Sequence, residues 1–200
     1  MSRKLIYALT VSLDGYIEDP NGELDWSEPG EELHQHFNDL YLSGEIDTSI
    51  YGRRLYETMA SYWPSIHDDS DVSDVEKEYA RVWKRVPKIV YSKTLETAEW
   101  SSSLAREVIP EEIHQLKQQS GNKIEVGGAE LAASFLKAGL VDECWLYVHP
   151  VILGGGKPYF PAGLRLDLQL LDTYTFPCNV VRLRYDLRPV FTQSDRYRSP

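Results

Sequence analysis

The stretch Ile124-Glu125-Val126-Gly127-Gly128-Ala129-Glu130-Leu131 constrains this chain more than any other. It reads as a short strand, a two-glycine turn and the start of a helix. Leu131, Phe135 and Leu136 fall at helical spacing, and Gly139 is placed to end the helix. Two glycines at such a turn let the backbone come close to a ligand. The first N–H groups of the new helix are unpaired and point at the same spot, which suits a phosphate. The plainer reading is a tight turn with small residues chosen for packing, because a lone Gly-Gly is a weak motif.

The rest of the chain alternates in the same manner. Lys4 to Leu13 is rich in β-formers and ends at Asp14-Gly15, so it reads as a buried first strand. The segment from Asp14 to Gly30 contains the turn cluster Asp19-Pro20-Asn21-Gly22 and Trp26, and reads as a long loop. An amphipathic helix is expected over Glu31 to Leu42, a strand over Asp47 to Tyr51 and a short helix from Arg53 to Tyr62. After an acidic loop, a helix is expected from Asp71, capped by Asp71 or Ser73 and stopped by Pro87. A strand at Lys88 to Tyr91, a short strand within Glu96 to Ser101 and a helix from Pro110 to Gln119 follow. Beyond the central unit come an apolar strand from Asp142 to His149, the glycine loop Leu153-Gly154-Gly155-Gly156-Lys157, and strands near Leu168 to Thr175 and Asn179 to Leu187. This pattern predicts a three-layer α/β domain with a mostly parallel sheet and an antiparallel C-terminal edge. One domain is expected over residues 1–190, with a polar tail at 191–200.

Ligands of such sheets bind outside the carboxyl ends of the strands. Three of the expected parallel strands end in Gly52-Arg53-Arg54, Ser92-Lys93 and Gly127-Gly128. The chain carries a formal charge of −10 over 200 residues. That argues against a nucleic-acid or anionic-membrane surface, so cations gathered on one rim of an acidic chain point to a local anion, a nucleotide with several phosphates. Cys144 and Cys178, the only two cysteines, form neither a disulfide framework nor a metal site. No signal-peptide pattern or membrane-length apolar run is present, so a cytoplasmic location is expected.

The motifs Leu13-Asp14-Gly15-Tyr16, Tyr51-Gly52-Arg53-Arg54-Leu55-Tyr56-Glu57, Ile89-Val90-Tyr91-Ser92-Lys93, Val126-Gly127-Gly128 and Leu153-Gly154-Gly155-Gly156 occur in this order. In them the chain resembles the dihydrofolate-reductase-like family, most closely its branch related to the reductase domain of the bifunctional riboflavin-biosynthesis deaminase–reductase. The resemblance covers Leu5 to about Leu187. It implies an NADPH-dependent reductase acting on a small heterocyclic (pterin- or pyrimidine-like) or carbonyl substrate. It implies that Gly52, Arg53, Ser92 and Lys93 hold the adenosine 2′-phosphate end of NADPH, and Arg54, a further cation on the same rim, is read as joining them. Gly127 and Gly128, with Ala129, Glu130 and Leu131 as the helix start, then cradle the pyrophosphate. The resemblance also implies that Asp14 and Gly15 border nicotinamide and substrate; from their own places at the strand end and in the long loop, Asp14 is read as the candidate catalytic residue that orients the substrate and Trp26 as its roof. The resemblance implies a homodimer as well. One departure is Leu55, where the family often has a Thr that bonds phosphate.

Most of these residues have a second reading. Asp14 is a residue favoured before glycine in turns. Trp26 serves equally to tuck the loop down, and Gly154 to Gly156 to turn the chain. Arg53 and Arg54 at a helix start are electrostatically misplaced unless an anion is present. His34 and His36, two apart on a helix, face different ways and make no metal pair, and His149 reads as structural. An alternative function is nucleotide binding or regulation on the same fold without turnover.

Overall fold

The computed structural model describes residues 2–66 and 71–187. The expected tail at 191–200, the domain boundary at 190 and part of the acidic loop lie outside the described residues.

The core is an eight-stranded sheet of β1 (Leu5–Ser12), β3 (Ile46–Gly52), β4 (Lys88–Tyr91), β5 (Ser102–Ala105), β6 (Lys123–Gly127), β7 (Glu143–His149), β9 (Gln169–Thr175) and β10 (Val181–Asp186), in the order β5-β4-β3-β6-β1-β7-β10-β9. Pairs from β5 to β7 are parallel, and β10 and β9 close the far edge antiparallel. The helices are α1 (Glu31–Leu42), α2 (Arg53–Tyr62), α3 (Asp74–Arg85), α4 (Pro110–Gln118) and α5 (Ala129–Lys137). A two-stranded ribbon of β2 (Tyr16–Glu18) and β8 (Lys157–Pro158) lies apart from the main sheet. This is the three-layer dihydrofolate-reductase-like fold.

Strand alternation divides the core. Leu5, Tyr7 and Val11 of β1 face Ile113 of α4 and Ala132, Phe135 and Leu136 of α5. Ile6 and Ala8 face the other way, with Trp145 and Tyr147 of β7, under Leu33 and Leu40 of α1. Tyr51 and Val90 pack on that second side with Tyr56 of α2 and Trp83 of α3. The central strands β1 and β7 are covered on both faces, which is why they read as nearly continuous apolar runs.

Several elements differ from the sequence expectation, the β2–β8 ribbon among them, since β2 lies within the expected long loop. The helix expected from Asp71 begins at Asp74, because Ser73 forms a capping box with Glu76: each side chain bonds the other's backbone N–H. The short strand expected within Glu96 to Ser101 lies at Ser102–Ala105, paired from Lys88↔Ser102 to Tyr91↔Ala105. The preceding loop is held by buried polar anchors instead. The Tyr56 hydroxyl takes the N–H of Glu99 at 2.8 Å, and Lys88 Nζ donates to the Trp100 carbonyl at 2.9 Å. Burial lowers the Lys88 pKa to about 8.

Candidate functional site

The strands β4, β3 and β6 are immediate neighbours, and their carboxyl ends form one rim. Gly52 lies beside Tyr91 across one pair, and Tyr51 beside Gly127 across the other. Gly52, Ser92 and Gly128 are thereby brought together from separate parts of the chain. The Ser92 hydroxyl accepts from Thr94 N–H at 3.2 Å and Leu95 N–H at 3.0 Å, which makes a tight turn after β4. Arg53 reaches that turn, donating from Nη1 to Thr94 Oγ1 at 2.6 Å while its Nε pairs with Glu57 at 3.0 Å. Arg54 and Lys93 are exposed. A further cation, Arg106, comes from the end of β5 and donates to the carbonyls of Ser92 at 2.8 Å and Leu95 at 2.7 Å. It escaped the sequence reading because the last parallel strand was expected ahead of its true place. With β5 at Ser102–Ala105, a fourth strand of this rim also ends in a cation.

The two glycines of the central turn have different causes. A Cβ on Gly127 would lie 2.8 Å from Leu55 Cδ2 and 3.0 Å from the Tyr51 ring, so a larger residue there would have to push these side chains aside. Gly128 has φ +89° and caps α5, a backbone conformation costly for other residues. Leu55 thus packs against this turn. Ala129, Glu130 and Leu131 make the first turn of α5, with Leu131 beside Gly52. The Glu130 carboxylate is held at 2.9 Å by Lys157, which also lies 3.7 Å from Glu18. The Lys157 hydrogen bond and charge keep Glu130 below the usual carboxylate range. An anionic group with a matched cation therefore sits at the start of α5. The donor set of glycine turn, helix start, Arg53, Arg54, Lys93, Arg106 and Lys157 fits the phosphates of a dinucleotide.

On the next two strands of the same edge, β1 and β7, lies a second cluster. Ser12 ends β1 and pairs with His149 at the end of β7. The Ser12 hydroxyl donates to Asp14 Oδ1 at 2.7 Å and accepts the Tyr16 N–H at 2.9 Å. Asp14 also accepts the N–H groups of Leu153 at 3.1 Å and Gly154 at 2.8 Å. It is exposed, and these bonds, the Ser12 hydroxyl first, hold its pKa below the ordinary value. Asp14 is therefore an exposed anion that clamps the glycine loop. Gly15, at φ +91°, accepts the Tyr159 N–H at 2.9 Å and so continues the clamp. Trp26 lies on a short 3-10 turn (Asp25–Ser27), its ring edge-on to His149 with centroids 5.7 Å apart. The loop thus carries β2, which pairs with β8 directly after the glycines; a Cβ on Gly156 would fall 2.0 Å from the Glu18 carbonyl oxygen.

An open cavity of about 480 Å³ lies elsewhere, between α1 and the β9–β10 hairpin, lined by His36, Tyr174 and Arg182. It includes none of the expected site residues. Among the described residues no cluster of His, Cys, Asp and Glu is arranged to hold a metal ion, and no helix is long and apolar enough to cross a membrane.

Comparison with known proteins now decides the family, since the RibD C-terminal domain model matches residues 3–182. The chain belongs to the RibD C-terminal domain family. YyaP of Bacillus subtilis (strain 168), a protein of uncharacterized function, is 37% identical over 185 residues, covering 92% of this chain and 94% of YyaP. A provisionally assigned riboflavin biosynthesis protein from Shewanella sp. PV-4 superimposes with a TM-score of 0.70 at 23% identity, covering 94% of this chain and all of that one. The diaminohydroxyphosphoribosylaminopyrimidine deaminase/5-amino-6-(5-phosphoribosylamino)uracil reductase of Thermotoga maritima gives a TM-score of 0.58 at 15% identity, over 94% of this chain and 57% of that larger chain. Within the RibD C-terminal domain the two clusters share one sheet edge, as the carboxyl-end rule for open α/β sheets requires. From β4 to β7 the edge spans four inter-strand steps, about 19 Å.

Proposed function

We propose that this protein is an NADPH-dependent reductase of a small pyrimidine-type heterocycle. The observation that carries the reading is the rim: an acidic chain gathers Arg53, Arg54, Lys93 and Arg106 around a glycine turn on adjacent strand ends. The reductase named for the Thermotoga maritima neighbour and the family membership support a uracil-like ring as substrate.

In this reading Gly52, Arg53, Arg54, Ser92, Lys93 and Arg106 hold the 2′-phosphate end of NADPH. Gly127 to Leu131 receive the pyrophosphate, with Lys157 released from Glu130 to meet it. The cofactor, when bound, supplies a hydride, and the organic chemistry is its own. The chain's part is to orient and to exclude water. Asp14, already committed to Ser12, Leu153 and Gly154, acts by holding the glycine loop over the substrate end. Trp26 roofs that end. A second reading is nucleotide binding or regulation on the same fold without turnover, favoured by Asp14 being engaged with Ser12, Leu153 and Gly154, which leaves the substrate end without a clear proton donor among the described residues.

A homodimer is proposed as well. β7 is interior, between β1 and β10, so strand-to-strand pairing falls to the edge strand β9 with its exposed Leu170, Leu171 and Tyr174. Light scattering at micromolar concentration tests this, and a mass of one chain rejects it.

The decisive experiment titrates NADPH and NADH by fluorescence and then follows nicotinamide absorbance with pyrimidine substrates. Charge-assisted bonds to a 2′-phosphate are worth about 1.5–3 kcal/mol, so NADPH should bind roughly ten- to hundredfold tighter. Equal affinities refute the assignment of the rim. NADPH binding without oxidation across the substrate panel supports the second reading.

A further inference from the structure

His149 is the least explained polar group at the substrate end. It is 5% exposed, and its Nε2 is buried with no hydrogen-bond partner among the described residues. A buried polar atom left unpaired costs about 1–3 kcal/mol, and such an atom in a native structure calls for a reason. The backbone around it is satisfied, since its carbonyl accepts the Val151 N–H at 2.8 Å.

Its position supplies the reason. His149 ends β7 beside Ser12 at the end of β1, on the sheet face that carries Trp145 and Tyr147. What lies against the imidazole is the edge of Trp26. Trp26 is held weakly: its 3-10 turn has no side-chain cap, and its Nε1 donates to the Glu23 carbonyl at 3.3 Å. The indole therefore packs beside an imidazole whose Nε2 has no partner among the described residues, and only one long hydrogen bond of its own holds it there. Burial lowers the His149 pKa, so the ring is neutral near pH 7 and Nε2 donates or accepts according to tautomer.

We infer that His149 Nε2 is the polar anchor of the substrate pocket, taking the N–H/C=O edge of a planar uracil-like ring when Trp26 shifts aside. The nature of the ring rests on the reductase reading; the anchoring role of His149 does not. A purely structural imidazole would lower Tm when replaced by an apolar residue and leave probe binding unchanged, so the two roles part on stability and binding together.

The test uses the whole chain, 5,6-diaminouracil as probe, and measurements with and without saturating NADP⁺. The probe should shift the His149 ring-nitrogen NMR signals in a saturable manner. His149→Leu should weaken probe binding at least tenfold and leave the NADPH dissociation constant within about twofold. Its Tm should stay level or rise by about 2–4 °C, as expected when an unpaired group is removed from a chain of this size. His149→Gln, which keeps a hydrogen-bonding end, should restore most of the binding. A probe that fails to bind the wild type, leaves the His149 signals unmoved, or binds His149→Leu as tightly as wild type overturns the inference. Failure of NADPH to bind is a separate result: it sinks the reductase reading and leaves His149 to be judged on the probe.

Discussion

Glu125 lies in β6, two residues before the glycine turn, with its side chain on the face opposite Ile124 and Val126. It is enclosed by Tyr41, Tyr51 and Tyr79, and the Tyr41 hydroxyl donates to its Oε2. Burial pushes its pKa up to about 7 from the ordinary 4.5, against the opposing pull of the Tyr41 hydrogen bond. Because the folded value exceeds the unfolded one, the native state binds the extra proton between about pH 4.5 and 7, and stability falls as pH rises through that window. A gap of about 2.5 pH units at 1.36 kcal/mol each sets an upper bound near 3 kcal/mol. Glu125 keeps some exposure, so about 1–3 kcal/mol is the working range. Glu125→Gln retains an acceptor for Tyr41 and cannot ionise. Urea unfolding of both proteins should show the variant gaining about 1–3 kcal/mol on wild type between pH 4.5 and pH 8. The gain should develop between pH 4.5 and 7 and stay level above. Any fixed cost of the amide's own N–H groups cancels in that difference. A gap between the two proteins that does not change with pH would falsify the argument that Glu125 is an ionisable burden on the core.

Further outcomes follow from the site. Gly156→Ala places a Cβ 2.0 Å from the Glu18 carbonyl at φ +125°, so it should destabilise the protein by about 2 kcal/mol or more in denaturant titration. Gly128→Val, at φ +89° beside the phosphate turn, should abolish nucleotide binding while circular dichroism shows the fold retained; normal binding would make the turn structural only. Arg106→Ala removes the anchor of the Ser92–Leu95 turn and should weaken NADPH about three- to tenfold by fluorescence titration. Asp14→Asn keeps the shape and drops the charge. It should hold NADPH affinity within about twofold while turnover falls roughly tenfold through loss of loop positioning, and collapse of NADPH binding in a folded variant would place Asp14 in the cofactor site instead.

Much of the architecture was legible in the residues because it is local. Apolar runs of strand length, helical spacing from Leu131 to Leu136, Pro87 as a stop and Gly139 as a helix end are properties of neighbouring residues, and each appears where the pattern places it. The rim was legible because consecutive strand ends carried glycine and cations, and the parallel sheet set them side by side. Ser73 and β5 were harder: Asp71 and Ser73 are both acceptable caps, and the Glu96–Ser101 and Ser102–Ala105 segments both carry weak strand signals. Only the capping box with Glu76 and the register with β4 chose between them. The charge states of the site were beyond the sequence altogether. Asp14 is pinned as an anion by backbone N–H groups 139 and 140 residues away, and Glu125 meets Tyr41 across 84. Trp26 and His149 touch only because the loop after β1 folds over the end of β7. Local propensity can place a strand or a turn, but whether a carboxylate is solvated and an imidazole satisfied depends on which distant groups the fold brings beside them, and that was decided by the tertiary structure alone.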